Sequence, residues 1–418
     1  MVEVSPRPAV DYDHYSAYHA RHALGEEKKL RRECPIGWSQ HCGGFWVLST
    51  YDLVTTAMRD YGTFSSAKTF DEDGVAHNGV TIPPSQGFRM VPVESDPPEW
   101  NGYRRILNPL FAPAAVDRLE PVITAITTEM INRVIETGEV DLLLDLANPI
   151  TAIVTLHVLG LPLADWYAFA DPIHKITYSP EGTTAHQQAV AGIVDIISRF
   201  RTAIAEHRRS RRDDIIGYLI DAGVDDQPLS DDALVELCFQ ILAGGVDTTT
   251  ALLGSTFVYL DQHPSDRVRL AGDGMLMRTA TEEFLRAFAP LPSNARTVAR
   301  PTAFGGQQLL PGERILALLG SANRDPAVFD DPDEIRLDRL PNRHTSFGIG
   351  IHRCLGSNLA RAMFRAILAQ VLQRMPDYRI VEGGAEKYES IALVNGYVRV
   401  RATFTPGPRI PNVMPLAI

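Results

Sequence analysis

Apolar residues recur at intervals of three and four along several long stretches of the chain, which is the pattern of amphipathic helices. This spacing predicts helices over Tyr51–Asp60, Pro113–Glu136, Thr184–Arg209, Ser230–Leu260, Met277–Ala289 and Leu355–Met375. Strand-like alternation is confined to short pieces at Phe45–Ser49, Arg296–Phe304, Arg314–Leu319 and Tyr397–Phe404. The chain is therefore predicted to be mainly α with small peripheral β-sheets.

The helix predicted from Ser230 is the longest and should be central. Ser230 is a suitable N-cap, and acidic residues follow it at the positive end of the helix dipole. Its apolar face continues for roughly 30 residues. In its middle lie Gly244 and Gly245, which together cost about 2 kcal/mol of helix propensity. We expect a packing or functional reason for this pair.

Composition and charge restrict the partners. The 418 residues are 45% hydrophobic and 22% charged, as in globular proteins, and the net charge of −11 comes without a long basic run. Nucleic acid and anionic membranes are therefore not expected as partners. No repeat or linker divides the chain, so one domain over 1–418 is predicted. No signal-peptide pattern is seen, and polar residues interrupt the apolar stretches, so we expect a cytoplasmic protein without a membrane anchor.

One cysteine stands in a chemically distinctive place. Cys354 ends a glycine-dense loop, Phe347–Gly356, that leads directly into a predicted helix. A helix N-terminus lowers the pKa of a thiol and favours the thiolate, which ligates metals, and glycines let the backbone approach a flat partner. On this feature alone, a helix-start loop with an incidental buried cysteine is an equal alternative. Cys34, Cys42 and Cys238 lack such a setting and are predicted to be structural.

The loop resembles the haem-binding signature of the cytochrome P450 family. The matching positions are Phe347, Gly350, His352, Cys354 and Gly356. Further motifs follow in the family's order: Asp96–Arg105 resembles the start of its haem-flanking helix, Gly244–Thr248 its oxygen-side helix motif, Glu283–Arg286 its Glu-x-x-Arg element, and Asn323–Arg339 its meander. The resemblance implies a cytochrome P450 fold, with haem between the long central helix and the cysteine loop.

The resemblance also implies roles for residues around the cofactor. Cys354 would be the thiolate axial ligand of haem b, a ligand that favours cleavage of dioxygen. Arg104, Arg296 and His352 would bind the haem propionates, unless the arginines are merely solvated. Trp100 stands where many members carry histidine, so that contact would be missing or made by the indole N–H. Glu283, Arg286 and Arg339 would form a buried structural network.

Asp247 and Thr248 are the implied catalytic pair. Cleavage of dioxygen consumes protons, and an acid that exchanges protons with solvent beside a hydroxyl that holds water can deliver them. A local break in the helix at Gly244 would make room for this. Alternatively, Thr248 only hydrogen-bonds to its own helix. The retained acid and alcohol favour an O2-dependent enzyme over a peroxide-using one.

The substrate pocket implied by the resemblance is largely apolar, which favours a lipophilic molecule of terpenoid, steroid or fatty-acid type. It includes Ser65–Val93, the loop Ile173–Thr184, and the single positions Phe239, Gln240, Ala243, Gly244, Thr248, Leu291, Ser293, Leu393 and Val394. The only lysines and arginines in these segments are Lys68, Arg89 and Lys175, which slightly disfavours free fatty acids. His174 shows no metal-binding spacing.

The implied activity is hydroxylation or epoxidation by a monomeric monooxygenase. Electrons would come from a ferredoxin and its NAD(P)H-dependent reductase. A basic face could steer an acidic ferredoxin to the thiolate side; its candidate members are Arg104, Arg105, Arg343, Arg353 and Arg361. Two alternatives stay open: oxidative coupling in a biosynthetic pathway on the same fold, and a non-catalytic haem binder.

Overall fold

A computed structural model describes residues 7–87, 89–180, 182–224, 227–411 and 414. Its helices are α1 (Ala17–Glu33), α2 (Tyr51–Arg59), α3 (Glu99–Leu107), α4 (Pro113–Asp117), α5 (Glu120–Val134), α6 (Asn148–Leu159), α7 (Trp166–Tyr178), α8 (Thr184–Arg209), α9 (Ile215–Asp221), α10 (Asp231–Gln262), α11 (Pro264–Gly272), α12 (Gly274–Phe288), α13 (Leu319–Ala322) and α14 (Ser357–Arg374). Its strands are β1 (Ile36–Ser39), β2 (Phe45–Leu48), β3 (Phe64–Ser65), β4 (Lys68–Phe70), β5 (Ala76–Asn78), β6 (Glu139–Asp141), β7 (Gly223–Val224), β8 (Gln227–Pro228), β9 (Ser293–Val298), β10 (Thr302–Phe304), β11 (Gln307–Leu309), β12 (Arg314–Leu318), β13 (Arg379–Lys387) and β14 (Tyr397–Thr403).

The predicted fold class is confirmed: helices dominate and the sheets are small. Two predicted elements are divided. The helix predicted over Pro113–Glu136 is split into α4 and α5, and the strand predicted over Arg296–Phe304 is split into β9 and β10. The hydrophobic pattern did not predict α6, because its residues are buried on nearly every side and leave no polar face to define a period. It also missed α7, which contains Pro172.

Helix α10 is the centre of the fold. The Ser230 hydroxyl accepts a hydrogen bond from the Ala233 amide at 3.2 Å, as predicted for an N-cap. The helix then runs without interruption to Gln262 and packs against α6, α7, α8 and α14. The predicted local break at Gly244 is therefore wrong. A β-carbon at Gly245 would lie 2.7 Å from the Thr155 hydroxyl oxygen, so this glycine serves the close approach of α6.

The sheets lie around this helical body. The largest has five strands in the order β1-β2-β12-β9-β3, in which only β2 and β12 are parallel. A three-stranded antiparallel sheet has the order β13-β14-β6, and β14 packs against α10. The remaining strands among the described residues form two-stranded ribbons. The segment between β13 and β14 brings Leu393 and Val394 against Ala251 of the central helix.

Two apolar helical stretches are long enough to cross a membrane, at 142–159 and 231–262. In their most apolar windows, 78% and 67% of the positions are buried inside the protein. They therefore have the burial expected of core helices. One extended hydrophobic cluster includes most of both stretches and continues into α5 and α14.

Candidate active site

The loop before α14 holds the candidate ligand Cys354 by its own backbone. The Cys354 amide donates to the Phe347 carbonyl at 2.7 Å, and the Gly348 amide donates to the Thr345 carbonyl at 2.7 Å. Gly350 has a φ of +75°, and a β-carbon there would lie 2.6 Å from the Met58 carbonyl oxygen. Glycine is therefore required at this turn by both conformation and space.

The free thiol of Cys354 is not poised as an anion. Burial raises the pKa of Cys354, although the Gly356 amide and nearby arginines act in the opposite direction. The prediction of a lowered pKa is wrong because α14 begins only at Ser357, after the cysteine, and burial disfavours the charged form. The residue nevertheless keeps accessible surface. A bound metal ion would displace the thiol proton.

Buried cationic and N–H groups near this loop lack partners of opposite charge. The indole Nε1 of Trp100 and the Nε of Arg104 are buried without a hydrogen-bond partner. Arg296 is 2% exposed, and burial lowers its pKa to about 10. In the described part of the chain, the hydrogen-bond partners of the two arginines are neutral oxygens: Arg104 donates to the Arg353 carbonyl at 3.2 Å, and Arg296 donates to the Asn294 side chain and, at 2.6 Å, to the Ala295 carbonyl. Carboxylate groups of a cofactor would satisfy these donors, so the set fits haem b with its two propionates.

His352 lies close to Trp100, Arg104 and Arg296, but it already has hydrogen-bonding partners within the chain. Its Nε2 lies 2.9 Å from the Ser66 hydroxyl oxygen and 3.8 Å from Asp96 Oδ1. Burial lowers the pKa of His352, and Arg296 adds to this while Asp96 opposes it. The ring also stacks edge-on against Trp100, with centroids 5.9 Å apart. The structure therefore brings the four predicted propionate residues into one neighbourhood.

The central helix presents open space at Gly244. This residue is exposed although α10 is otherwise largely buried, and a β-carbon there would meet only the Gln240 amide nitrogen, at 3.6 Å. One turn later, the Thr248 hydroxyl donates to the Gly244 carbonyl at 3.2 Å. This is the bond to its own helix considered above, and it leaves the hydroxyl oxygen as an acceptor for water. A missing side chain, rather than a break in the helix, makes room here.

The Asp247 carboxylate does not lie beside the Thr248 hydroxyl. Asp247 is 2% exposed, and its Oδ1 lies 2.6 Å from His174 Nδ1 and 3.3 Å from the Tyr388 hydroxyl. The carboxylate therefore faces His174 and Tyr388 rather than the Thr248 hydroxyl, since consecutive helix residues point about 100° apart. His174 and Tyr388 lie 73 and 141 positions away along the chain, so no local motif could have indicated them.

The structure brings Glu283, Arg286 and Arg339 together in a buried network. Arg286 donates to Glu283 at 2.8 and 2.9 Å, and Arg339 Nε donates to it at 3.0 Å. The Arg336 amide and the Asn342 side chain also donate to the same carboxylate. These hydrogen bonds outweigh burial and lower the pKa of Glu283. The network ties α12 to the segment that precedes the cysteine loop.

The residues predicted to line the pocket are buried or half-buried. Phe239, Ser293 and Val394 are buried, whereas Gln240, Ala243, Leu291 and Leu393 are half-buried. The predicted loop Ile173–Thr184 is helical as far as Tyr178, where α7 ends. Phe88 and Glu181 fall within the predicted pocket segments but lie outside the described residues.

The two lysines and the arginine of the predicted pocket segments all pair with carboxylates of the chain. Lys68 Nζ lies 2.7 Å from Glu94 Oε2, and neither side chain is exposed. Arg89 donates two hydrogen bonds to Glu99, at 2.6 and 2.8 Å. Lys175 donates to Asp171 at 2.8 Å. Pairing neutralises each of them, which leaves none as an unpaired anchor for an anionic ligand.

Comparison with known proteins agrees with this architecture. The family profile described as Cytochrome P450 matches residues 158–271 and 275–376. Cytochrome P450 130 of Mycobacterium tuberculosis is 31% identical over 348 residues, covering 81% of this chain and 83% of that protein. The steroid C26-monooxygenase of Mycolicibacterium smegmatis is 29% identical over 415 residues, covering 97% and 98%.

A solved structure has the same fold. A cytochrome P450 from Bacillus megaterium, in complex with testosterone, superposes with a TM-score of 0.83 at 26% identity, covering 93% of this chain and 100% of that one. The profile match, the relatives and the fold agree with the glycine-rich cysteine loop and the central helix. The chain therefore belongs to the cytochrome P450 family of haem-thiolate monooxygenases.

Proposed function

We propose that this enzyme inserts one oxygen atom from O2 into a neutral, lipophilic molecule of terpenoid or steroid size, by hydroxylation or epoxidation. It acts as a cytoplasmic monomer and receives electrons from a ferredoxin, which an NAD(P)H-dependent reductase keeps reduced. Membership of the family implies O2, a redox partner and a lipophilic substrate, and the neutral substrate class is narrower than this.

The internal pairing of the pocket cations carries the proposal. Breaking the fully buried Lys68–Glu94 pair to bind a substrate carboxylate would strand the Glu94 charge, at a cost of roughly 3–5 kcal/mol. Arg89 and Lys175 also pair with carboxylates, but these pairs are partly exposed and contribute only about 0–1 kcal/mol each. Shape and apolar contact must therefore orient the substrate, which favours an uncharged molecule. The steroid C26-monooxygenase and the testosterone complex among the relatives support this size and polarity.

Cys354 would hold haem b through its thiolate, and Arg104, Arg296, His352 and Trp100 would bind the haem propionates. The bound haem supplies the oxidising chemistry, to which the thiolate contributes electron density. The chain's own residues would position the cofactor and provide the surroundings for the reaction. The buried donors would neutralise and orient the propionates, Gly244 leaves open space on the central helix, and Thr248 can hold water beside it.

Isotope labelling tests the proposed reaction. The enzyme is first screened with terpenoids, steroids and fatty acids by the shift in haem absorption that accompanies substrate binding. Turnover of the tightest ligand under labelled O2 should then place one labelled atom in the product. An unlabelled product would indicate oxidative coupling, and failure to consume NAD(P)H with any reductase and ligand would indicate a haem binder. Tighter binding of free fatty acids than of neutral ligands would contradict the proposed substrate class.

Thr248→Ala should divert electrons from product to hydrogen peroxide. The substitution removes the hydroxyl that holds water beside Gly244, so proton delivery becomes less specific. We expect the ratio of peroxide to product to rise about tenfold, with substrate binding unchanged. Thr256→Ala is the matched control, because Thr256 makes the same kind of helix bond, to Leu252 O at 2.8 Å, two turns further on. An unchanged peroxide ratio in Thr248→Ala would contradict the proposed role.

The proposed ferredoxin contact is a basic face with three exposed arginines, Arg105, Arg343 and Arg353. Arg361 contributes less than predicted, because it makes two hydrogen bonds of 2.6 Å to Glu282. The rate of reduction by ferredoxin should fall as ionic strength rises.

Charge reversal at this face provides the sharper test. Arg343→Glu should slow reduction by a factor of about ten at low salt and reduce its salt dependence. Arg401→Glu is the matched control, since Arg401 is exposed on β14, in a different sheet region. Salt-insensitive reduction of the unaltered enzyme would exclude electrostatic steering.

A further inference from the structure

Asp247 belongs to a buried polar cluster that joins three parts of the fold. We call Asp247, His174 and Tyr388 the acid cluster. His174 lies on α7, Asp247 on α10 and Tyr388 directly after β13, and each is at most 4% exposed. Asp247 Oδ1 lies 2.6 Å from His174 Nδ1, and both carboxylate oxygens lie 3.3 Å from the Tyr388 hydroxyl.

The hydrogen-bond pattern assigns a charge to the histidine. His174 Nδ1 faces the Asp247 carboxylate, and Nε2 faces the Val398 carbonyl oxygen at 3.3 Å. Both ring nitrogens of His174 face acceptors. Only the protonated ring, the imidazolium, can donate a hydrogen bond from both nitrogens. Burial by itself lowers the pKa of His174, but the charge and hydrogen bond of Asp247 outweigh it, and the pKa is raised.

Other titratable groups surround the pair. They are Asp171, Lys175 and Tyr178 on α7, Glu386 on β13, and Tyr388. Asp171 and Lys175 pair with each other at 2.8 Å. Tyr178 is half-buried and stacks on Tyr388, with ring centroids 5.4 Å apart. Asp247 makes the shortest contact with His174, whereas the Tyr388 hydroxyl lies 3.3 Å from His174 Nδ1 and Tyr178 packs edge-on against the ring with centroids 5.2 Å apart.

We propose that His174 is the proton source for Asp247, and that Tyr388 holds the carboxylate within its reach. The inference rests on the proposed role of Asp247 as the acid. The proton on His174 Nδ1 moves to Asp247 Oδ1, which leaves a neutral ring with its remaining proton on Nε2 and a neutral carboxyl group. Asp247 passes this proton to water held by Thr248, and His174 regains one from solvent. The Tyr388 contacts, at 3.3 Å, are long for O–H···O bonds, so the hydroxyl orients the carboxyl group without fixing it rigidly.

Two substitutions separate proton supply from simple positioning. His174→Gln keeps an N–H donor for Asp247 but cannot transfer a proton, whereas His174→Phe removes both functions. If His174 supplies the proton, both variants should lower coupled product formation about tenfold or more. If His174 only positions the carboxylate, His174→Gln should restore the activity that His174→Phe loses. His186→Gln, at the start of α8, is the matched control.

The pH dependence gives a second readout. The charged ring supplies the proton below its pKa, so coupled turnover of the unaltered enzyme should fall as pH rises through that pKa, above the usual 6.5. His174→Gln should lack this decline. A decline retained in His174→Gln would overturn the proposal.

Direct titration does not depend on turnover. In the reduced carbon monoxide form of the holoenzyme, labelled with ¹⁵N-histidine, His174 should titrate above 6.5. In Asp247→Asn it should titrate below 6.5, because burial then dominates. This measurement decides the matter even if the His174 variants fold poorly. A His174 ring that is neutral at pH 6 in the unaltered enzyme would overturn the proposal.

Asp247→Asn also separates a failure of the proposed role of Asp247 from a failure of the proposed role of His174. If its coupled turnover equals that of the unaltered enzyme, the proposed role of Asp247 fails, and the inference fails with it. If Asp247→Asn is impaired while His174→Gln is not, only the role of His174 fails.

Discussion

Cys354→Ser is expected to yield a folded protein whose reduced carbon monoxide complex no longer has the absorption of a thiolate-ligated haem. Serine preserves the shape of the loop but replaces the sulfur with an oxygen that is a poor thiolate substitute. The backbone bonds of the loop do not involve this side chain, so the fold should survive. We expect coupled turnover to fall at least about a thousandfold, which corresponds to about 4 kcal/mol in the barrier.

The other cysteines provide the controls for this experiment. Cys42→Ser changes an exposed thiol, and Cys238→Ser changes a buried one on α10. Neither should alter the spectrum of the carbon monoxide complex. A thiolate-type spectrum retained by Cys354→Ser, or lost in Cys238→Ser with the fold intact, would show that the ligand has been assigned to the wrong sulfur.

Glu283→Ala is expected to abolish stable haem incorporation. The Glu283 carboxylate accepts hydrogen bonds from Arg286, Arg339, Asn342 and the Arg336 amide, and its removal leaves two buried guanidinium groups without a counter-charge. Breaking a buried pair in this way costs roughly 3–5 kcal/mol. The measurement is the haem content of purified protein, together with the free energy of unfolding.

Two further variants make this prediction precise. Glu283→Gln keeps the volume and an acceptor oxygen but not the charge, so it should be less destabilised than Glu283→Ala and remain measurable. Glu129→Ala is the control, because its carboxylate is partly exposed and pairs with Arg133 at 3.5 Å on α5. Such exposed pairs contribute about 0–1 kcal/mol. Normal holoprotein yield from Glu283→Ala would refute the structural role of the network.

The Glu283 network also predicts an acid limit to stability. The pKa of Glu283 is lowered in the folded protein by its hydrogen bonds with arginines, so its contribution to stability is present above the unfolded pKa. That contribution is lost as pH falls through the lowered folded value. Glu283→Gln should therefore remove part of the pH dependence of unfolding below about pH 4.5.

Much of the fold could be predicted because its signals are local. The Ser230 cap, the apolar face of α10 and the three-and-four spacing of α8 are properties of neighbouring residues. α6 was missed for the opposite reason: a helix buried on nearly all sides shows no polar face in its sequence. The turn at Gly350 was identified from its motif, but the need for glycine came from contact with Met58, in a distant helix.

The sequence by itself determined the family, the cysteine loop and the identity of the acid and alcohol on the central helix, because short-range spacing carries these features. Only the tertiary structure decided the state and partners of those groups. Cys354 has a raised thiol pKa because burial outweighs the nearby positive charges, and Asp247 faces His174 and Tyr388 because helix geometry turns it away from Thr248. Charge state depends on surroundings in three dimensions, and those surroundings come from segments that are far apart along the chain.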